Sequence, residues 1–232
     1  MLDSLDKGRC QPITMLTISK EDYLKAIAEA EAEGQTVIGA RLAHWLSVTP
    51  PAVTFAIKRL RKDGLVALGK NGEIRLTAEG KRSAEATILR HHLIERMLFE
   101  VFGMPWYQVH DEAERLEHAV SPAFEKLLRE KLGPKDTCPH GNGLSLRSPA
   151  DRRKKGFTLL SEAELKKEYK VASVYERDRQ LLEFLDRQGL RPGARVQLQA
   201  RNYDGTVSLL VNRQPVYLGE PAAEKIWVAK AR

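Results

Sequence analysis

The chain has 232 residues, 42% of them hydrophobic and 30% charged, which suffices to bury one or two ordinary cores. Basic residues exceed acidic ones by seven and the sequence pI is near 9.4, a balance that favours polyanionic partners. The only cysteines, Cys10 and Cys138, exclude a disulfide scaffold. No apolar run approaches the roughly 18 residues of a membrane span, and the start lacks an apolar signal core, so a cytoplasmic protein is expected.

Residues 1–18 read as a loose tail with Gly8 and Pro12. Ser19 then has the character of a helix N-cap, followed by Tyr23, Leu24, Ile27 and Ala28 at helical spacing until Gly34. Ile38, Leu42, Trp45 and Leu46 mark a second helix. Thr49-Pro50-Pro51 opens a third, with Val53, Ile57 and Leu60 as its apolar stripe and Gly64 as its stop. Two short strands, Leu65–Leu68 and Glu73–Leu76, flank a Gly69-Lys-Asn-Gly72 turn. Thr77 caps a long helix to about Phe102, another covers roughly Tyr107 to Ala119, and Ser121-Pro122 starts a further one that ends near Gly133-Pro134. Residues 135–157, rich in Pro, Gly and basic residues, read as a linker. Beyond them, alternating stretches such as Arg195–Gln199, Val207–Val211 and Pro215–Leu218, with one helix at Arg179–Gln188, predict a small β-barrel.

Three helices and a two-stranded wing within about 60 residues form the winged helix-turn-helix pattern. On the third helix, Val53, Ile57 and Leu60 fall within about 60° and mark the core side. Pro51, Phe55, Lys58, Arg59 and Lys62 fall opposite. Three cations beside an outward aromatic suit a helix lying in a major groove. Lys58, Arg59 and Lys62 would hold phosphates, while Pro51, Ala52, Thr54 and Phe55 would meet base edges or thymine methyls, with Thr49 also at the DNA. A solvated or protein-binding face is the blander alternative.

Local charge divides sharply. Residues 36–90 carry ten basic and four acidic side chains, a net +6, whereas 91–130 carry four basic and eight acidic, a net −4. Four of the six histidines, His91, His92, His110 and His118, lie in the acidic block. On the helix near 107–119, His110, Glu114, Glu117 and His118 share one face within about 100°. His91 and Glu95, one turn apart, add two more donors. Clustered imidazole and carboxylate are the ligands of divalent cations, and like charges at this spacing repel unless a cation lies among them. Surface His–Glu pairing is the competing reading for any single residue. Ser19-x-x-Asp22 has the form of a capping box, and on the residues alone Asp22 reads as a cap. Cys138-Pro-His140 stands too isolated in sequence to define a site, and neither cysteine has zinc-finger spacing.

The stretches Arg90-His-His-Leu-Ile-Glu-Arg96 and Val109-His-Asp-Glu-Ala-Glu-Arg-Leu-Glu-His118 resemble the metal-binding core of the diphtheria toxin repressor and manganese transport regulator family. Val53-Thr…Arg59-Leu…Asp63-Gly-Leu-Val66 and Leu76-Thr-Ala-Glu-Gly80 resemble that family's winged helix, and Cys138-Pro-His-Gly-Asn142 its loop after the dimerisation helices. The resemblance is strong over about 17–145, and the last 70 or so residues look like the SH3-like domain of the longer members. It implies a mainly α chain with a small β component. The divisions would be a winged helix at 19–80, a helical dimerisation and metal-binding domain at 81–134, and an SH3-like (FeoA-like) barrel at 158–232. It also implies a primary metal site of Asp22, Glu114, Glu117 and His118, and an ancillary site of His91, Glu95 and His110. Glu176 would join the ancillary site from the SH3-like domain, with Asp178 or Gln180 as weaker matches.

Three departures matter. Iron-responsive members commonly carry cysteine at the Glu114 position and methionine at the Asp22 position, so all-oxygen and nitrogen ligation leans towards Mn2+, with Fe2+ as the alternative. Lys25 stands where manganese regulators often carry a second acid, which should disfavour a closely spaced binuclear site. Phe55 replaces a polar base-contacting residue, so the operator does not transfer. The resulting expectation is a homodimeric, metal-activated transcriptional repressor of double-stranded operator DNA, acting on metal-homeostasis genes, with no membrane and no small organic substrate. A metal-dependent hydrolase is a weaker alternative, since no His-Glu-x-x-His, nucleophile elbow or phosphate loop occurs.

Overall fold

The computed structural model describes residues 20–135, 137–143 and 147–231. Ser19, Cys10 and the expected tail at 1–18 lie outside the described residues.

Helices α1 (Lys20–Ala32), α2 (Gly39–Trp45) and α3 (Pro50–Lys62) pack with a hairpin of β1 (Val66–Leu68) and β2 (Ile74–Leu76). Leu24, Ile27, Leu42, Val53, Ile57, Leu60, Val66 and Ile74 form one core, so the apolar stripe of α3 faces inward. Thr49 Oγ1 accepts from the Ala52 N–H at 3.4 Å, and prolines fill the first helical positions, where no intrahelical N–H is needed. Thr77 caps α4 (Ala78–Arg96) in the same way, accepting from the Gly80 N–H at 3.1 Å. A Cβ on Gly80 would stand 2.0 Å from the Leu65 carbonyl oxygen, so the wing and α4 approach closely only because residue 80 is glycine.

Helix α4 spans the expected boundary near residue 80 and belongs to both N-terminal units. It runs on as a π-turn over Met97–Val101, the last turn of the helix expected to reach about residue 102. A 3-10 turn at Trp106–Gln108 leads into α5 (Val109–Leu116), and α6 (Pro122–Leu132) follows. Val109 and Ala113 of α5 pack on Ile94 and Leu98, leaving the His/Glu face of α5 for other partners.

In the C-terminal domain, β3 (Phe157–Leu159), β4 (Glu168–Val174), β5 (Arg195–Arg201), β6 (Thr206–Val211), β7 (Gln214–Gly219) and β8 (Ile226–Lys230) form one antiparallel sheet in the order β3-β8-β4-β5-β6-β7. Helix α8 (Arg179–Arg187) buries Leu182 and Leu185 against it. Trp106 of the helical domain lies in this same core, and its Nε1 donates to the Pro139 carbonyl at 2.9 Å. The two domains therefore share one apolar cluster.

The segment 135–157 is not a featureless linker. Cys138, His140 and Asn142 are buried, and Pro149–Lys154 forms helix α7. Gly141 adopts φ 84°, and a Cβ there would lie 2.0 Å from the Ala172 carbonyl oxygen, so this loop is pressed directly onto β4. The Pro and Gly content that resembled a flexible tether instead builds a tight turn.

Candidate metal centre and nucleic-acid interface

Three groups of side chains able to hold a metal ion converge where α1, α4, α5 and the end of β4 meet. Asp22 of α1 joins Glu117 and His118 at the end of α5. His118 Nε2 lies 2.6 Å from Asp22 Oδ1 and 3.5 Å from Glu117 Oε1. Asp22 therefore reaches across the domain boundary and is not confined to capping α1. Its other neighbour, Glu21, places Oε2 3.2 Å from His118 Nδ1.

The second group is His91, Glu95 and His110, all buried. Glu95 Oε1 lies 3.2 Å from His91 Nε2, 3.3 Å from His110 Nδ1 and 3.2 Å from His140 Nδ1. Burial works against ionisation of Glu95, yet His140, His91 and His110 outweigh it and hold the carboxyl well below the usual range.

The third group brings in Glu176 and Cys138. Glu176 does not join His91 and His110; it meets His92, Glu95 and Cys138. Cys138 Sγ donates to Glu176 Oε2 at 3.4 Å, Asn142 Nδ2 donates to the same oxygen at 2.7 Å, and His140 Nδ1 lies 3.5 Å away. His92 and His91 are neighbours on α4 and face different donor sets, with Glu95 common to both. Burial, then Glu95 and Glu176, push the Cys138 thiol well above its ordinary value. His140 is pushed up to about 10, burial opposing and Glu95 and Glu176 prevailing. Asp178 caps α8 by accepting from the Leu181 N–H at 3.0 Å, and Gln180 is exposed, so neither serves this group.

Glu114, expected in the primary set, pairs with Lys25. Its Oε1 accepts from Lys25 Nζ at 3.0 Å and lies 3.6 Å from His110 Nε2. Burial raises its pKa, but Lys25, His91, His110 and Arg177 bring it down to about 2. Lys25 Nζ also donates to Glu117 Oε2 at 2.7 Å and lies 2.9 Å from His91 Nδ1. His91 Nδ1 is in turn 2.7 Å from Glu117 Oε2, so that nitrogen cannot both accept from Lys25 and donate to Glu117.

These donors fit a divalent cation. Glu95 Oε2, Glu117 Oε1 and His92 Nδ1 are buried with no hydrogen-bond partner among the described residues. Buried carboxylate oxygens left without donors are costly unless a cation serves them. Beside the centre, Arg177 reaches away from Glu176, pairs with Glu29 of α1, and covers the Trp45 ring at 5.1 Å.

On the opposite side of the winged helix, α3 exposes Thr49, Pro51, Ala52, Thr54, Phe55, Lys58, Arg59 and Lys62. Phe55 is 65% exposed, with the Arg59 guanidinium 6.0 Å above its ring. Thr54 Oγ1 donates to the Pro50 carbonyl at 3.0 Å and the Thr49 hydroxyl caps the helix, so both hydroxyls have intrahelical duties. No helix of the described residues is long and apolar enough to cross a membrane.

What sequence reasoning missed is the contribution of His92, Cys138 and His140. Their signal lay in Cys138-Pro-His-Gly-Asn142, where a glycine that must sit against a strand carries two ligand types into the core.

The chain is similar to known proteins over most of its length. Residues 15–73 match the N-terminal DNA-binding domain of iron-dependent repressors, 77–143 their metal-binding and dimerisation domain, and 158–230 the FeoA domain. The iron-dependent repressor IdeR of Mycobacterium leprae is 31% identical over 226 residues, covering 93% of this chain and 98% of its own. The diphtheria toxin repressor of Corynebacterium diphtheriae is 36% identical over 127 residues, 55% of this chain and 56% of its own. Among solved structures, a manganese-dependent transcriptional repressor in complex with manganese superposes with a TM-score of 0.83 at 31% identity, covering 92% of this chain and all of its own.

Proposed function

The chain belongs to the iron-dependent repressor family of metal-dependent transcriptional repressors, and from that premise we propose that it is a manganese-activated homodimer that represses from palindromic operators. The observation that carries this reading is the meeting of Asp22 with Glu117 and His118. Asp22 sits on the first helix of the DNA-binding unit, and His118 lies 96 residues later, beyond the helix that joins that unit to the dimerisation helices. A cation held by both fixes one unit relative to the other. Two α3 helices, one per protomer, are then set at the spacing of two half-sites. Metal favours DNA because it binds that arrangement better, and DNA raises metal affinity by the same factor.

The donors of this group, with Glu114 one turn before His118, are oxygen and nitrogen only, which supports Mn2+. A specific observation favours Fe2+ as the second reading: Cys138 brings a softer sulfur donor into the Glu95, Glu176, His92 and His140 cluster. We assign Thr49, Pro51, Ala52, Thr54 and Phe55 to base edges and Lys58, Arg59 and Lys62 to phosphates. The dimer would form through the helical domain, where Val101 and Phe102 are 64% and 70% exposed and Phe124 and Leu127 also face outward. The IdeR homologue is named for iron and the structural relative for manganese.

The test is selection of random-sequence duplexes by the full chain with Mn2+, with Fe2+ under anaerobic conditions, and after chelation. An inverted repeat enriched only with metal is expected, and Asp22→Ala should lose that enrichment while remaining dimeric. Enrichment of equal strength after chelation would overturn the switch.

A further inference from the structure

Lys25 is the most unusual residue of the centre. It is 2% exposed, and the three groups around its ammonium are all side chains expected to bind metal: Glu117 at 2.7 Å, His91 at 2.9 Å and Glu114 at 3.0 Å. Its ammonium is paired with two carboxylates, Glu117 and Glu114. A lysine among solvated acids would be ordinary. A fully enclosed ammonium centred on two carboxylates and an imidazole occupies a cation's coordination position.

We infer that Lys25 is a resident cation of the metal centre, held on the shared position between the Asp22 and His91 groups, and that it sets how much divalent metal is needed to load the Asp22 group. The inference rests on reading that group as a divalent-cation site. The geometry has three consequences. Glu114 Oε1 and Glu117 Oε2 already serve Lys25, so a divalent ion at Asp22, Glu117 and His118 must share Glu117 with the ammonium. The positive charge repels an incoming divalent ion, and it fills the place a second ion would need between the two groups. Because Lys25 is on α1 while its partners are on α4 and α5, it also ties the DNA-binding unit to the helical core before any metal arrives.

The experiment compares the full-length wild type with Lys25→Met, Lys25→Gln, Lys25→Arg and His118→Ala. Mn2+ uptake is followed by calorimetry and by the electron paramagnetic resonance of free Mn2+, and thermal melting is recorded in chelator. Lys25→Met should bind Mn2+ at the His118-dependent site at least tenfold more tightly. Its metal-free melting point should fall below wild type, with a larger gain on adding Mn2+. Lys25→Arg should behave as wild type. If Lys25→Met does not fold, the neutral, polar Lys25→Gln decides by the same readings. Equal or weaker Mn2+ affinity in the neutral variants, with a site still lost in His118→Ala, overturns the role of Lys25 alone. Absence of any His118-dependent uptake in the wild type overturns the underlying site, and with it the inference.

Discussion

Phe55→Ala separates operator reading from folding, because the ring is mostly outside the core. With 65% of the residue exposed, about a third of a ring that buries roughly 150–250 Å² when enclosed is covered. At about 25 cal/mol/Å² that is roughly 1–2 kcal/mol of stability. The Arg59 contact at 6.0 Å adds about 0.5 kcal/mol at an exposed site, and the better helix propensity of alanine returns about as much. The variant should therefore lose only about 1–2 kcal/mol of fold stability, a few degrees in melting temperature. On DNA the loss is counted per half-site. A specific base contact contributes roughly 1–2 kcal/mol, so two in a dimer give about 2–4 kcal/mol, or roughly a 30- to 700-fold weaker operator complex. Non-specific binding should hold, since no phosphate-directed charge is altered. Fluorescence anisotropy at fixed salt, on a selected inverted repeat and on a scrambled duplex, reads both quantities. An equal loss on the two duplexes, or none on either, would refute the placement of Phe55 at the bases.

Other predictions concern the joints of the molecule. Trp106→Ala removes a fully buried indole from the shared core together with its bond to Pro139, and should cost about 3–5 kcal/mol, seen as a melting point lower by roughly 10 °C. Gly141→Ala forces a Cβ onto the Ala172 carbonyl at a positive φ. It should weaken metal uptake by the Cys138 group while leaving the Asp22 group titratable, which calorimetry can resolve as loss of one binding phase. Metal binding at Cys138 needs the thiolate, and burial with Glu95 and Glu176 holds the thiol protonated at neutral pH. Affinity there should consequently rise with pH, up to about tenfold per unit, and Cys138→Ser should release about one proton fewer per ion in buffers of differing ionisation enthalpy.

Much of this architecture was legible in the amino-acid order because its signals are local. The stripe Val53, Ile57, Leu60, the cap Thr77 and the helix starts at Thr49-Pro50 and Ser121-Pro122 act within one or two helical turns, and each stands where it was expected. His91 and Glu95, four residues apart on one helix, are equally local. The distribution of donors between groups was not legible. His91 and His92 differ by one position and serve different sets, a matter of how α4 is rotated against α5 and the C-terminal domain. Cys138 lies 38 residues from Glu176, and they meet only because Gly141 lets its loop touch β4. Lys25 was recognisable as a cation in an acid's place, but its burial depends on the packing of α1 against α4 and α5.

Glu176 and Arg177 are consecutive, yet one faces the Cys138 group and the other grips Glu29 and Trp45 of the DNA-binding unit. One trans peptide fixes their α-carbons about 3.8 Å apart. The C-terminal domain thus acts as a gauge block between the other two. Inserting or deleting a single residue at this point would put one grip out of register with the other. Length at this joint is accordingly under tighter constraint than residue identity, the reverse of what holds for a surface loop.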